Sequence, residues 1–311
     1  MRVVAIPQTG GPEVLEIIER PVPEPGDGEV RIGVAAATVN PSDIGLRAGL
    51  HAARLRSLRP PYVPGWEAAG SVDAVGAGAG FQVGERVMAI VSPFGPGGGA
   101  QAEYVVVPAD SVVRVPAGMG LVEAATLPMN GLTVRRALDL LGLAPGSTLA
   151  VTGAAGAVGG YAIELGTVDG LRVIGDAKPE DEDLVRSLGA DVVVQRGPDM
   201  AVAIRRAVPG GVDALLDAAL VGVPALPAIR DGGHLAAVRP FQGDGERDIT
   251  ITLVLVADYV RNGAALAKLV ELAAAGRLTL RVADTLPVER VAEAHRRFEK
   301  GGVRGRLVLT F

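Results

Sequence analysis

The chain has 311 residues, 49% of them hydrophobic, and a formal net charge of −5. That length exceeds one average domain and suits two packed cores. The acidity argues against a nucleic-acid surface, and glycine and charge interrupt each apolar run before a bilayer-spanning length.

In chain order, the first third reads as β. Residues 29–39 (EVRIGVAAATV) are bounded by Pro25-Gly26 and Asn40-Pro41, which predicts a strand. Further strands are predicted over 68–75, 85–91, 103–107 and 112–115, with a loop at 93–99 (PFGPGGG). Short strands at regular spacing suggest a small barrel or sandwich. After Pro116 helices are predicted over 121–127 and 131–141, and strand then alternates with helix. Strands are expected at 148–152, 171–174, 192–195, 214–216, 233–238 and 249–256. Helices are expected at 158–167 and 179–188, then at 263–275 and 288–300, with a last strand at 306–311. Such alternation implies a parallel sheet with helices on both faces.

The chain has no cysteine. Disulfides, thiolate nucleophiles and cysteine-ligated zinc are therefore excluded. The three histidines, His51, His234 and His295, lie far apart and predict no metal site. The opening residues lack the order of a secretory signal, so a cytoplasmic protein is expected.

Residues 149–160 (LAVTGAAGAVGG) read as a strand, a tight turn and a helix start. Gly156 lets backbone approach a pyrophosphate and Gly159 lets the helix pack close to the strand. The helix N-terminus offers N–H groups and a partial positive charge to phosphate. Alone, an A-x-G-x-x-G pattern in a glycine-rich chain is weak, since small residues also pack helix starts. Its weight comes from the strand ending about twenty residues on, where an acidic ribose ligand is expected. There Asp176 favours NADH and Lys178 favours NADPH, and the two disagree. Lys178 also reads as a solvated loop residue.

These motifs, in their order, resemble the zinc-independent quinone oxidoreductase (zeta-crystallin-like) branch of the medium-chain dehydrogenase/reductase superfamily. The resemblance rests on Gly10-Gly-Pro-Glu-Val-Leu15, Val39-Asn-Pro-Ser-Asp43, Val63-Pro-Gly-Trp-Glu67 and Leu127-Pro-Met-Asn-Gly-Leu-Thr133. The glycine turn, Leu188-Gly-Ala-Asp191 and Val303-Arg-Gly-Arg306 complete it. It implies an α/β fold: a Rossmann doubly wound parallel sheet (118–262) inserted in a GroES-like, β-rich catalytic domain (1–117 and 263–311). The active site is expected in the cleft between them. It further implies NADPH, with NADH as the alternative, and hydride transfer to a small conjugated acceptor such as a quinone or enone. A homodimer is expected, with no membrane or nucleic-acid partner.

The resemblance places Asn40, Trp66 and Asn130 where zinc-dependent relatives hold metal, so no metal is expected. It assigns Asn40 to a loop approaching the nicotinamide, although an Asn-Pro turn explains it equally. Thr133 is assigned to the nicotinamide side and Gly156, Ala157, Val158 and Gly159 to the pyrophosphate. Lys178 is assigned to the 2′-phosphate, with Asp176, Gln195, Phe241 and Arg304 also near the cofactor. His51 stands where many relatives have an active-site tyrosine and is the one histidine considered as an acid. Arg54, Arg56 and Arg59 form a basic stretch that suits an anionic substrate or plain solvation. Two alternatives stand beside the reductase. One is an enoyl-thioester reductase of polyketide or fatty-acid type; the other is a nucleotide-binding protein with little turnover.

Overall fold

A computed structural model describes residues 1–311. The chain opens with β1 (Arg2–Ala5), β2 (Glu16–Glu19), β3 (Glu29–Thr38), α1 (Pro41–Arg47), β4 (Glu67–Val75), β5 (Arg86–Ile90), β6 (Tyr104–Pro108) and β7 (Val112–Arg114). Then follow α2 (Leu121–Ala124), α3 (Pro128–Leu141), β8 (Thr148–Thr152), α4 (Ala157–Val168), β9 (Arg172–Ala177), α5 (Glu182–Ser187), β10 (Val192–Gln195) and α6 (Met200–Ala207). The remainder is β11 (Val212–Asp217), β12 (Ile229–Ala237), β13 (Thr250–Leu253), α7 (Gly263–Ala274), β14 (Val282–Pro287), α8 (Val291–Lys300) and β15 (Arg306–Thr310). No helix is long and apolar enough to cross a membrane.

The chain divides into two compact units: Met1–Met129, Val260–Ala274 and Leu280–Phe311 in the first, Asn130–Tyr259 and Ala275–Thr279 in the second. Residues 118–129 lie with the first because α2 packs against β3, β4 and β5.

In the first unit the sheet runs β14-β15-β3-β4-β5-β7, with β6 also on β3. All pairs are antiparallel except β14 with β15. β3 is the hub, and its alternate residues Val30, Ile32, Val34 and Ala36 face the core, the period expected of a half-buried strand. No strand is predicted over β14, whose residues VADTLP bury only Leu286, as an edge strand does. It also takes the segment after Asn40 for a loop, where the structure has helix α1. There Asn40 is the N-cap in extended conformation, Pro41 follows at the first helical position, and the Asp43 carboxylate accepts the Asn40 N–H at 2.8 Å.

In the second unit six strands, all parallel, run β10-β9-β8-β11-β12-β13. Numbered within the unit this is 3-2-1-4-5-6, the doubly wound order, with its reversal between β8 and β11. The strand interiors read as unbroken apolar runs, such as Leu149-Ala-Val151 in β8, because helices cover both faces. Ligands of such sheets bind beyond the carboxyl ends of the strands at the reversal, and here the residue stretch following β8 is the glycine turn.

Candidate functional site

The turn from Gly153 to Gly156 leads into α4, whose N-cap is Gly156 with no side-chain cap. The first-turn N–H groups of a helix have no intrahelical acceptor, so those of Ala157, Val158 and Gly159 form an anion cradle at the positive end of the helix dipole. Glycine is required at two points. Gly153 has φ +67°, a left-handed backbone. At Gly159 a Cβ would lie 2.2 Å from the Gly153 carbonyl oxygen. Only a bare backbone lets α4 start this close to β8. The cradle thus fits a pyrophosphate on the shape and donor chemistry of the turn itself.

Two buried carboxylates flank the turn. Asp217, at the end of β11, accepts from Thr152 Oγ1 at 2.6 Å, from the Val221 N–H at 3.0 Å and from the Gly222 N–H at 2.8 Å. Asp176, on β9, is turned into the protein, and its Oδ1 accepts the Ala154 N–H at 3.1 Å. Burial pushes the Asp176 carboxyl above the usual aspartate range, against the pull of the Ala154 and Gly153 N–H groups and of Arg196, and Asp217 adds to the rise. Lys178 lies beyond β9, exposed, 3.8 Å from Glu180, and Gln195 is an exposed residue ending β10. Thr133 is buried in α3. Phe241 is half-buried against a core that contains Leu235 and Ile249. The second unit therefore gathers Gly156, Ala157, Val158, Gly159, Asp176, Lys178 and Gln195 around the ends of β8, β9 and β10.

Asn40, His51 and Arg304 lie in the first unit. Asn40 is fully buried and its side chain is wholly engaged. Its Oδ1 accepts from Arg306 at 2.8 Å, and its Nδ2 donates to Thr38 Oγ1 at 3.2 Å and to Glu67 Oε1 at 3.4 Å. Arg306 also donates to Glu67 Oε1 at 2.6 Å, and the Thr38 hydroxyl donates to the same oxygen. The other carboxylate oxygen accepts the Met129 N–H at 2.6 Å, so Glu67 sits at the start of α3. Asp43 closes the network, its Oδ1 accepting the Gly65 N–H at 2.9 Å. Burial pushes its carboxyl up to about 7, against the two backbone donors and Arg306. Glu67 and Arg306 each fall in a family-like motif, and nothing in the sequence pairs them. The available signal at both is a charge at the head of a strand whose next residues are small or apolar, Ala68-Ala69 and Leu307-Val308-Leu309.

His51 precedes a short turn of 3-10 helix and meets Phe94 edge-on at 5.5 Å; Phe94 in turn meets Trp66 at 5.6 Å. The Arg54 guanidinium lies 4.6 Å over the Phe94 ring. Arg304 lines a concave surface with Arg297 and Lys300. His234 lies within β12, inside the strand predicted over 233–238, and meets Thr252 Oγ1 at 2.7 Å. His295, on α8, is fully buried beside Arg47.

Residues 26–117 match the alcohol dehydrogenase GroES-like domain family, and residues 188–309 match the zinc-binding dehydrogenase family. The structure superposes over its full length on a solved NAD-dependent alcohol dehydrogenase, covering 100% of both chains at 30% identity with a TM-score of 0.85. The chain belongs to the medium-chain dehydrogenase/reductase superfamily. Its two units are the GroES-like, β-rich domain and the Rossmann domain of that superfamily. A mycobacterial member solved in complex with NADPH is 28% identical, with a TM-score of 0.86 and full coverage of both chains. A chloroplast envelope quinone oxidoreductase homolog of Arabidopsis thaliana is 35% identical over 195 residues, 60% of this chain and 57% of that protein. The shared region thus spans little more than half of that relative. Within this superfamily the chain lacks a zinc donor set. It has no cysteine, and nowhere do three His, Asp or Glu side chains converge. The residues present do not fit a zinc ion.

Proposed function

We propose that this chain is a zinc-independent reductase that uses a nicotinamide dinucleotide, NADPH by preference, to reduce a small conjugated acceptor such as a quinone or an enone. The observation that carries this reading is the uncapped start of α4, closed against β8 by a glycine whose Cβ would strike the Gly153 carbonyl. The N–H groups of Ala157, Val158 and Gly159 hold the pyrophosphate, while Thr133, Gln195, Phe241 and Arg304 contact the rest of the dinucleotide. Once bound, the dinucleotide supplies the hydride. Conjugation spreads the developing charge of the acceptor onto an oxygen, which needs only a hydrogen bond or a proton. His51, held edge-on to Phe94, supplies that proton. Asn40 fixes the segment between β3 and α1, since its own donors and acceptor are taken.

Arg54 stacked on Phe94, with Arg56 and Arg59 exposed beside it, favours a second reading, an enoyl-thioester reductase whose substrate carries an anionic tail. Edge strand β13, with Leu253 exposed, supports a homodimer.

The test is titration with NADPH, following the fluorescence of Trp66, the one tryptophan, and the thermal midpoint. Quenching and a raised midpoint are expected; a chain that responds to neither nicotinamide is no reductase. Turnover of one quinone against one enoyl thioester then separates the two substrates.

A further inference from the structure

We propose that Arg196, aligned by Asp176, is the residue that selects a 2′-phosphorylated dinucleotide, with Lys178 as a second cation. The inference rests on the dinucleotide reading above and assigns its specificity. β9 and β10 pair in parallel, with Asp176 opposite Val194 and Ala177 opposite Gln195. One residue further, the Arg196 N–H donates to the Ala177 carbonyl at 2.7 Å, which fixes the Arg196 backbone beside the end of β9. Lys178 leaves β9 at the corresponding position, so both cations emerge at the carboxyl ends of adjacent strands.

The Asp176 side chain is 1% exposed and serves both neighbours. One oxygen accepts from the turn at Ala154; the other lies 3.7 Å from Arg196 Nε and accepts no hydrogen bond. A carboxylate in that posture draws one edge of the guanidinium inward. The rest of the Arg196 side chain, 44% exposed, keeps its outer N–H fork for an anion. A planar fork matches phosphate in two parallel hydrogen bonds, which a lysine does not reproduce. The same posture removes the conflict between Asp176 and Lys178. Asp176 is buried against the turn, where its charge is met by the Ala154 N–H and Arg196, while Lys178 stands exposed beyond the end of β9 beside Glu180.

The test is the affinity of the whole chain for NADPH, NADH and 2′,5′-ADP by calorimetric titration, beside the thermal midpoint of each ligand-free variant. The wild type is expected to prefer NADPH. Arg196→Gln should weaken NADPH and 2′,5′-ADP by about 10–100-fold, the worth of hydrogen bonds to a charged group, with NADH changed less than about 2-fold. Arg196→Lys should restore only part of the loss, and Asp176→Asn should lower the NADPH preference through Arg196. Equal weakening of all three ligands, or a wild type that prefers NADH, overturns the assignment but keeps the dinucleotide reading. A wild type that binds none of them overturns both.

Discussion

Arg306 and Glu67 form a buried ion pair, 2.6 Å apart, in which the arginine is 4% and the glutamate 0% exposed. The carboxylate answers to four donors: Arg306, Thr38, Asn40 and the Met129 N–H. Removing one partner of such a pair leaves an uncompensated charge, at a cost of about 3–5 kcal/mol. Glu67→Gln should therefore lower stability by that order in denaturant unfolding. The double variant with Arg306→Met should recover much of the loss. A single variant as stable as wild type would show that the pair is not closed in solution.

Gly159→Ala places a methyl group where only 2.2 Å separates it from the Gly153 oxygen. The turn has to open, so the expected result is loss of NADPH quenching of Trp66 with the rest of the chain still folded. Far-ultraviolet circular dichroism verifies the fold. Undiminished quenching would remove the cradle from the binding site.

His295 is held far below its usual range, at about 3, by burial and by the neighbouring Arg47 guanidinium 3.2 Å away. Glu299 pairs with the other side of that guanidinium. The folded state keeps His295 neutral, whereas the unfolded chain protonates it below about 6.5. Stability from this residue is complete above that pH and is lost as pH falls toward 3, in all roughly 4–5 kcal/mol. Asp43 acts in the opposite sense. Its carboxyl, raised to about 7, makes the fold lose stability as pH rises from about 4 to 7. The measurement is therefore a difference, the stability of wild type minus that of His295→Gln at each pH. It should shrink on acidification; a gap independent of pH refutes the assignment.

Leu253 on edge strand β13 is 40% exposed. If this edge joins two copies, Leu253→Lys should shift sedimentation from dimer to monomer without lowering NADPH affinity. A wild type that sediments as a monomer ends that reading.

The second unit was the more legible from sequence. Its strands are continuous apolar runs, its turn is spelled by glycines at fixed spacing, and both signals are local. Asp176 shows where local reading stops: its position near the end of β9 was visible, but the face to which it projects is set by the alternation of the strand. Nothing in the neighbours of Arg196 marks it in the sequence, and its relation to Asp176 exists only through the β9–β10 register. The Glu67 network was hidden for the same reason. Thr38, Glu67 and Arg306 sit on three strands, and Arg306 lies 239 residues from Glu67. Helix α1 was missed because Asn-Pro reads equally as a turn and as a cap followed by a first helical residue.

The long reach from β3 to β15 has a consequence for synthesis. As the ribosome extends the chain, every strand of the second unit has emerged by Leu253, while the first unit still lacks β14 and β15. Domains fold as units when their residues are available, so the interior segment is free to fold ahead of the flanks that were begun earlier. Until Arg306 leaves the tunnel, Glu67 has no counter-charge and β3 has a bare edge along Ala36 to Thr38. Nascent chains halted before β15 should be the aggregation-prone species, and the ones that chaperones hold.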